Sequence, residues 1–532
     1  MSVNRREFLG AAAAACCLRA QEPAKTRLGL VRSSHNRLPR PVPPDHPLDA
    51  DLVRDMVWKA IEYGSPAAGS LEAKIRPGSW VVVKPNIGGL RAAESWRPGD
   101  TTDFRVTRAV VEYLARKSGA KRITVAEGGT YRGLHDKAED HVVTQNGRRV
   151  DANLFDWGST DFPGFSGSLA GMLADFAARF PGKRFDYVDL SYDAVRDASG
   201  AFRKLPVPRS RNGVGAASNL SEYFVTNTIV NCDFLITVPV MKMHLQCGMT
   251  CCLKNYVGTG PREVYSVPGT FSNLKLHRDY SVGGRIDTFI ADLAAFHPPD
   301  YCVIDGLRGL QEQEHSNHRD DQMIRSNLIV AGEDPVAADS LAATLIGHNP
   351  WDIDYLHHAA RREMGTMDFR RIEVVGEEAD RLRRPWEKPR NWFGRCNREW
   401  VTTLDLSAPA GAWKPHFSRV DALDLVEVAG ASPKYAAAAV FRAEGGRKGY
   451  LWIGARGKVA VSLNGETVLR EEAITKHRIG QYQVPVSLTA GENRVVFQVE
   501  PVDGAATVSL LVTGPRNNGD TLEGLRWVPT RG

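Results

Sequence analysis

The chain has 532 residues, 42% of them hydrophobic and 24% charged, with a formal net charge of +6. That length exceeds a single hydrophobic core and calls for two or three units, and the apolar share excludes a disordered chain. The positive charge is spread thinly, and its densest run, Arg381 to Arg390, is broken by Pro, Trp and Glu, so no nucleic-acid partner is expected.

The first twenty residues, MSVNRREFLGAAAAACCLRA, set Arg5-Arg6 before Phe8-Leu9 and a short alanine run. This is the pattern of a twin-arginine export signal over residues 1–20. The apolar run is far shorter than the ~20 residues that span a bilayer, and no transmembrane segment is expected. The expectation is a periplasmic or extracellular protein, with lipid anchoring at Cys16 a minor option because the alanines before it lack the usual leucine. Twin-arginine export carries folded proteins, which favours a bound cofactor; its identity stays unknown, and a divalent metal is compatible.

From residue 25 to 377 short Val- and Ile-rich runs alternate with helical stretches. The runs SWVVVKPN, RITVAEGG, DYVDLS, DFLITVPVMK, YCVIDGLRG and NLIVAGEDP each stop at a polar or glycine-bearing turn. They predict buried strands of an α/β core domain with a largely parallel sheet and flanking helices. TDFRVTRAVVEYLARKSGA carries an apolar stripe at Val106, Val110, Val111 and Leu114, with Gly119 as its expected stop. RIDTFIADLAAFH and DPVAADSLAATLIG are further helices.

In a parallel sheet, chemistry collects past the carboxyl ends of the strands. Those ends here carry Lys84 and Asn86, Glu127 with Gly128 and Gly129, Asp189, Lys242 and His244, Asp305, and Glu333 with Asp334. Gathered on one edge, such groups would perturb one another's protonation as acid–base sites do; singly, each could be a turn or cap residue. Lys84, Asn86, Lys242, Lys254, Asn255 and Gly258 are the expected substrate-binding set, with the turn NYVGTGPR offering backbone N–H groups to an oxyanion. His244, Asp305 and Glu127 are the catalytic candidates, and Asp305, Asp334 and His244 the candidate metal ligands.

The stretch VPVMKMHLQCGMTCCLKNYVGTG poses a choice between metal site, anion cradle, redox centre and core lining. Its cysteine spacing matches neither zinc nor iron–sulfur runs. Read as a helix over Gln246 to Lys254, it puts Cys247 and Cys251 one turn apart, packed on the sheet as small apolar residues.

VVVKPNIGG, VPVMKMH with LKNYVGTGP, VIDGLRGLQ, LIVAGEDPVAADSLAATLIGHNP and IEVVG together resemble, in order and spacing, the domain-of-unknown-function family 362 over about residues 27 to 376. By that resemblance Lys84, Asn86, Lys242, His244, Lys254, Asn255, Asp305, Gly306, Asp334 and Asp339 occupy motif positions. Some members of the family are similar to iron–sulfur proteins through an appended run of four cysteines, and this chain has no such run.

Residues 378–410, rich in Pro, Arg and Trp, are read as a linker, 411–516 as an all-β sandwich, and 517–532 as a tail. The Asn464-Gly465 pair between alternating runs predicts a tight hairpin. The sandwich resembles galactose-binding-like jelly rolls through VAVSLNGETVL and LTAGENRVVFQV, which implies carbohydrate as a partner; Trp452 and Tyr482 are either its platform or core. The resulting expectation is an exported, cofactor- or metal-assisted enzyme acting on a small carboxylate or phosphate, sugar acids included. A non-catalytic periplasmic anion- or carbohydrate-binding protein and a redox or iron–sulfur-associated protein are the alternatives.

Overall fold

The computed structural model describes residues 25–65, 69–88, 98–128, 142–145, 148–151, 168–266, 274–279, 286–312, 314, 320–389, 396–514 and 524–528. The leader and Cys16 lie outside them, as does Gly129.

Eight strands form the main sheet: β1 (Thr26–Arg32), β2 (Trp80–Pro85), β3 (Arg122–Glu127), β4 (Arg184–Asp189), β5 (Phe234–Val238), β6 (Tyr301–Leu310), β7 (Met323–Gly332) and β8 (Ile372–Gly376). Their spatial order is β8-β1-β7-β6-β5-β2-β3-β4. All neighbours pair in parallel except β7, which is antiparallel to both β1 and β6. The expected largely parallel sheet is present, and every apolar run named above contributes a strand.

Alternation along each strand sends side chains to two separate cores. Leu28, Leu30, Val82, Leu235, Ile304 and Val330 face one side, packed with residues of helices α4 (Asp287–Ala295), α5 (Pro335–Leu345) and α6 (Asp354–Arg361). Val31, Val81, Val83, Ile236, Val303 and Ile329 face the other, against α1 (Ala50–Gly64), α2 (Phe104–Lys117) and α3 (Leu169–Arg179). Each such side chain contributes about 1.5–3 kcal/mol by leaving water. Helix α2 starts where Asp103 accepts from Arg105 N and stops at Ser118, whose N–H and hydroxyl both bond Leu114 O. Gly119 is therefore not the cap. A Cβ there would stand 3.0 Å from Pro77, so close packing is what asks for glycine.

The direction of β7 corrects one expectation. Because it runs against its neighbours, Glu333 and Asp334 leave the sheet at the edge opposite Lys84, Glu127 and Asp305. Asp334 caps α5 by accepting from Ala337 N at 2.8 Å, and also from Thr366 N at 3.0 Å.

The C-terminal region is wholly antiparallel. Its long strand β11 (Arg447–Leu463) pairs with β12 (Glu466–Ile474), β13 (Tyr482–Leu488), β14 (Gly491–Glu500) and β15 (Thr507–Thr513), while β9 (Glu399–Thr403) and β10 (Tyr435–Ala443) extend the sheet. Asn464 and Gly465, at φ 52° and 91°, make the predicted two-residue turn. The stretch read as linker is partly built in: β9 belongs to the sandwich, and Trp386, Lys388 and Asn397 are buried. Part of the tail is also structural, since Leu525–Val528 pairs with β10. No helix among the described residues is long and apolar enough to cross a membrane.

Candidate functional site

After β5 the chain does not enter a helix. Lys242–His244 pairs antiparallel with Gly248–Thr250 in a short hairpin, and a 3₁₀ helix follows over Lys254–Thr259. Gly248 at φ 86° turns the chain back, which replaces the helix expected over Gln246 to Lys254. The cysteines nevertheless pack as expected: Cys247, Cys251, Cys252 and Cys302 are fully buried free thiols in the core beneath α5. Burial pushes the Cys251 thiol up to about 12 and raises Cys252 and Cys302 as well.

At the carboxyl edge, Lys84 from β2 is 1% exposed and gives its ammonium to Glu127 at 2.9 Å, Asn255 Oδ1 at 3.0 Å and Pro85 O at 3.2 Å. Burial lowers its pKa, with the Glu127 carboxylate working against the shift. Glu127 also accepts from Ile87 N and Gly128 N. Asn255 donates to Lys84 O and Thr237 Oγ1, and Asn86 Nδ2 donates to Asn255 Oδ1. A Cβ on Gly258 would collide with the Glu127 carboxylate and reach 2.9 Å from Lys84 Nζ, so only glycine lets the 3₁₀ helix close over this pair.

Lys242 is likewise buried and engaged, donating to Asp100 O at 2.6 Å and Asp100 Oδ1 at 2.8 Å. It stands 4.0 Å from Glu314, whose carboxylate also contacts His244 Nε2. His244 Nδ1 accepts from Gln246 N at 3.1 Å, which leaves the ring proton on Nε2, toward Glu314. Lys242 and His244 therefore enter one cluster as their spacing predicts. Asp305 does not join it. Its carboxylate accepts from Asp103 N at 2.7 Å and Leu307 N at 2.9 Å, fixing the start of α2. Burial, then the nearby Asp103 carboxylate, raises its pKa to about 7.

Lys254 differs from the other two lysines. It is 7% exposed and has no hydrogen bond or ion pair among the described residues. It faces a small cavity of about 40 Å³, lined with it by Asn86, Glu127, Gly258, Arg262 and Glu314. Asn86 Oδ1 is buried beside it without a donor. The chain just before Lys254 is held by Asp339 of α5, which accepts from Cys252 N at 2.8 Å and Leu253 N at 3.1 Å. His277 is close enough that Lys254 and His244 add to burial in lowering its pKa to about 3, against the opposing pull of Glu314.

The cavity therefore gathers Asn86, Glu127, Lys242, Lys254 and Gly258 from the expected set, with Lys84, Asn255 and His244 directly behind them. It leaves out Asp305 and Asp334. Sequence reasoning missed Asp100, Arg262, His277 and Glu314, which lie in turns and short helices with no strand signal to point at them; the only trace of Glu314 is its place four residues past the end of β6.

The proposed metal ligands Asp305, Asp334 and His244 are not brought together. Among the described residues two other groups have ligand atoms within 4.8 Å of one another: Cys251, Cys252 and Asp339, and His348, Asp352 and Asp421. The first has protonated thiols and a carboxylate already bonded to two backbone N–H groups, so a cation would have to displace protons in a dry core. In the second, the Lys388 ammonium already binds both Asp352 and Asp421. In both groups a metal would have to displace what now holds the ligand atoms, thiol protons and backbone N–H groups in the first and the Lys388 ammonium in the second.

Comparison with known proteins bears on this region first. The family described as Domain of unknown function (DUF362) matches residues 193–344. That segment contains the hairpin, the 3₁₀ helix, β5, β6 and β7, and it supports the resemblance read from the motifs. No curated protein matches the sequence. Among solved structures, the lactate racemase apoprotein from Thermoanaerobacterium thermosaccharolyticum is 13% identical with a TM-score of 0.26, over 53% of this chain and 52% of its own. A β-glucosidase from Kluyveromyces marxianus is 12% identical, TM-score 0.18, over 23% of this chain and 16% of that one. A family 35 carbohydrate binding module from an environmental isolate is 18% identical, TM-score 0.15, over 18% of this chain and 73% of that one. The chain thus spans about half of the racemase and about a sixth of the β-glucosidase.

Proposed function

We propose that the strand-end cavity is the working site of an exported enzyme that binds a small carboxylate or phosphate and moves a proton on it. The observation that carries this reading is Lys254, nine-tenths buried, without a carboxylate partner among the described residues, and facing a polar cavity. A buried ammonium without a counter-ion is costly, and an incoming oxyanion relieves that cost. Arg262 on the same wall supplies a second cation, and Asn86 is positioned beside both.

The group we place to take a proton is Glu314, which lines the cavity and is held there by His244 Nε2, the other ring nitrogen of His244 accepting from Gln246 N. His244 is thus a positioning residue that orients the Glu314 carboxylate, and Lys242 holds a positive charge behind it. Glu127 lines the cavity as well, but its oxygens are committed to Lys84, Ile87 N and Gly128 N. The Arg5-Arg6 leader supports export.

The test uses the purified full chain with inorganic phosphate and a panel of small carboxylates, reading thermal shift for binding and proton exchange in deuterated water for turnover. Lys254→Met should weaken phosphate binding by roughly tenfold or more, while Glu314→Gln should bind and fail to exchange protons. Phosphate binding unchanged in Lys254→Met would sink the assignment. Binding without exchange across the panel would favour the non-catalytic binding protein.

A further inference from the structure

A second site lies between the domains, where two cavities of about 720 and 580 Å³ adjoin and share Asp380, Arg383 and Arg478. We infer that this cleft binds a carboxylated oligosaccharide, with its acid group on the arginines of the larger cavity and a sugar ring on the aromatic wall of the smaller one. None of its residues lines the strand-end cavity, so the inference stands apart from the proposed reaction.

The larger cavity has cations from both domains. Arg478 is satisfied by Asp380, and Arg419 by Glu312 and Glu387. Arg383 and Arg456 are not paired in this way. Arg383 gives one guanidinium nitrogen to His477, at 2.7 Å to its carbonyl and 3.3 Å to Nδ1, both uncharged acceptors. The Arg456 side chain, partly buried, has no hydrogen bond or ion pair among the described residues, and its Nε is buried without an acceptor. Lys476, exposed, adds a third cation on the same wall. Two acids of this wall, Asp424 and Glu427, sit at a helix start, where Asp424 accepts from Val426 N and Glu427 N. Guanidinium groups without carboxylates, held by a folded scaffold, are the chemistry that recognises a planar carboxylate.

The smaller cavity supplies what an acid group alone would not need. Phe369 is 41% exposed there, and Trp351 beside it is braced by stacking on Trp452 at 4.7 Å. Gln481 adds an amide for hydroxyl groups. Aromatic faces with scattered polar groups suit the C–H face of a sugar ring, and the two adjoining cavities, about 720 and 580 Å³, have the volume for more than one ring. Trp452 itself, buried and donating to Thr513 Oγ1, is a support and not a platform.

The experiment titrates the full chain with trigalacturonate by calorimetry at low salt. Wild type should bind, Arg456→Gln should weaken binding by roughly tenfold, Phe369→Ala by several-fold, and neutral maltotriose should bind more weakly than the acid. Both substituted residues are at least partly exposed, and unchanged unfolding curves confirm that the variants fold. Lys254→Met should bind trigalacturonate like wild type, which separates this site from the strand-end cavity. No binding up to about 10 mM, or an unchanged affinity in Arg456→Gln, overturns the proposal. A triglutamate peptide binding as well as trigalacturonate, with Phe369→Ala silent, also overturns it, because the cleft would then read charge and not sugar.

Discussion

Lys388 and Lys254 are both buried, and their surroundings are opposites. Lys388, at the contact between domains, is 1% exposed and closed by two carboxylates, Asp352 and Asp421. Lys254, at the strand ends, is 7% exposed and closed by none among the described residues. A charge with its counter-ions supplied is part of the architecture, whereas a buried charge that faces a cavity and pairs with no carboxylate among the described residues is what the proposed anion site rests on. Burial alone does not separate structural from functional lysines; the partner count does.

Lys388→Met leaves two buried carboxylates without their cation and should cost ~3–5 kcal/mol of stability in a urea titration. A loss below about 1 kcal/mol would show that the domain contact does not depend on this cluster.

The same contact should feel acid. His477 bonds Ser509 Oγ and Arg383, and burial, then Arg383, lowers its pKa to about 3. The folded state keeps this ring neutral while the unfolded chain protonates it near 6.5, so its contribution is complete above pH 6.5 and is lost as pH falls toward 3. Between pH 6.5 and 5 that loss amounts to at most about 2 kcal/mol, and His477→Gln should flatten it. The raised carboxyls of Asp305, Asp334 and Asp339 act with the opposite sign, giving stability back as pH falls from about 7 to 4. The difference between wild type and variant therefore isolates the histidine.

Smaller effects separate the two chemistries within residues 238–260. Cys251→Ala should cost about 1 kcal/mol through lost packing and leave phosphate binding intact. Lys254→Met removes a buried charge unpaired among the described residues and should raise stability by about 1–3 kcal/mol, while phosphate affinity falls. If Cys251→Ala abolished ligand binding instead, the core reading of the cysteines would be wrong.

Much of this was legible because the relevant signals are local. Val-rich runs such as WVVVKP became strands, the stripe from Val106 to Leu114 became α2, and Asn464-Gly465 became a turn, since side-chain periodicity and left-handed φ act over a few residues. Strand direction is not local. Nothing in NLIVAGEDP tells whether it runs with or against its neighbours, so Asp334 was assigned to the wrong edge. The hairpin at Lys242–Thr250 was missed because its six paired residues are too few for a period, and Glu314 because a carboxylate in a turn looks like any other until His244 is placed beside it.

Strand β11 has a further consequence for how the C-terminal region comes apart. Its first part, Arg447–Arg456, is shared between β13 and β15, and its last part, Gly457–Leu463, between β12 and β14. A Cβ at Gly457, where φ is 130°, would stand 2.6 Å from Val499, so the crossing point between the two parts admits no side chain. One continuous backbone thus serves as the common rail for four partners. Peeling any of them exposes the flank of a strand that the others also need, so the sandwich has no half that can detach and survive, and a single break at the rail would release all four at once.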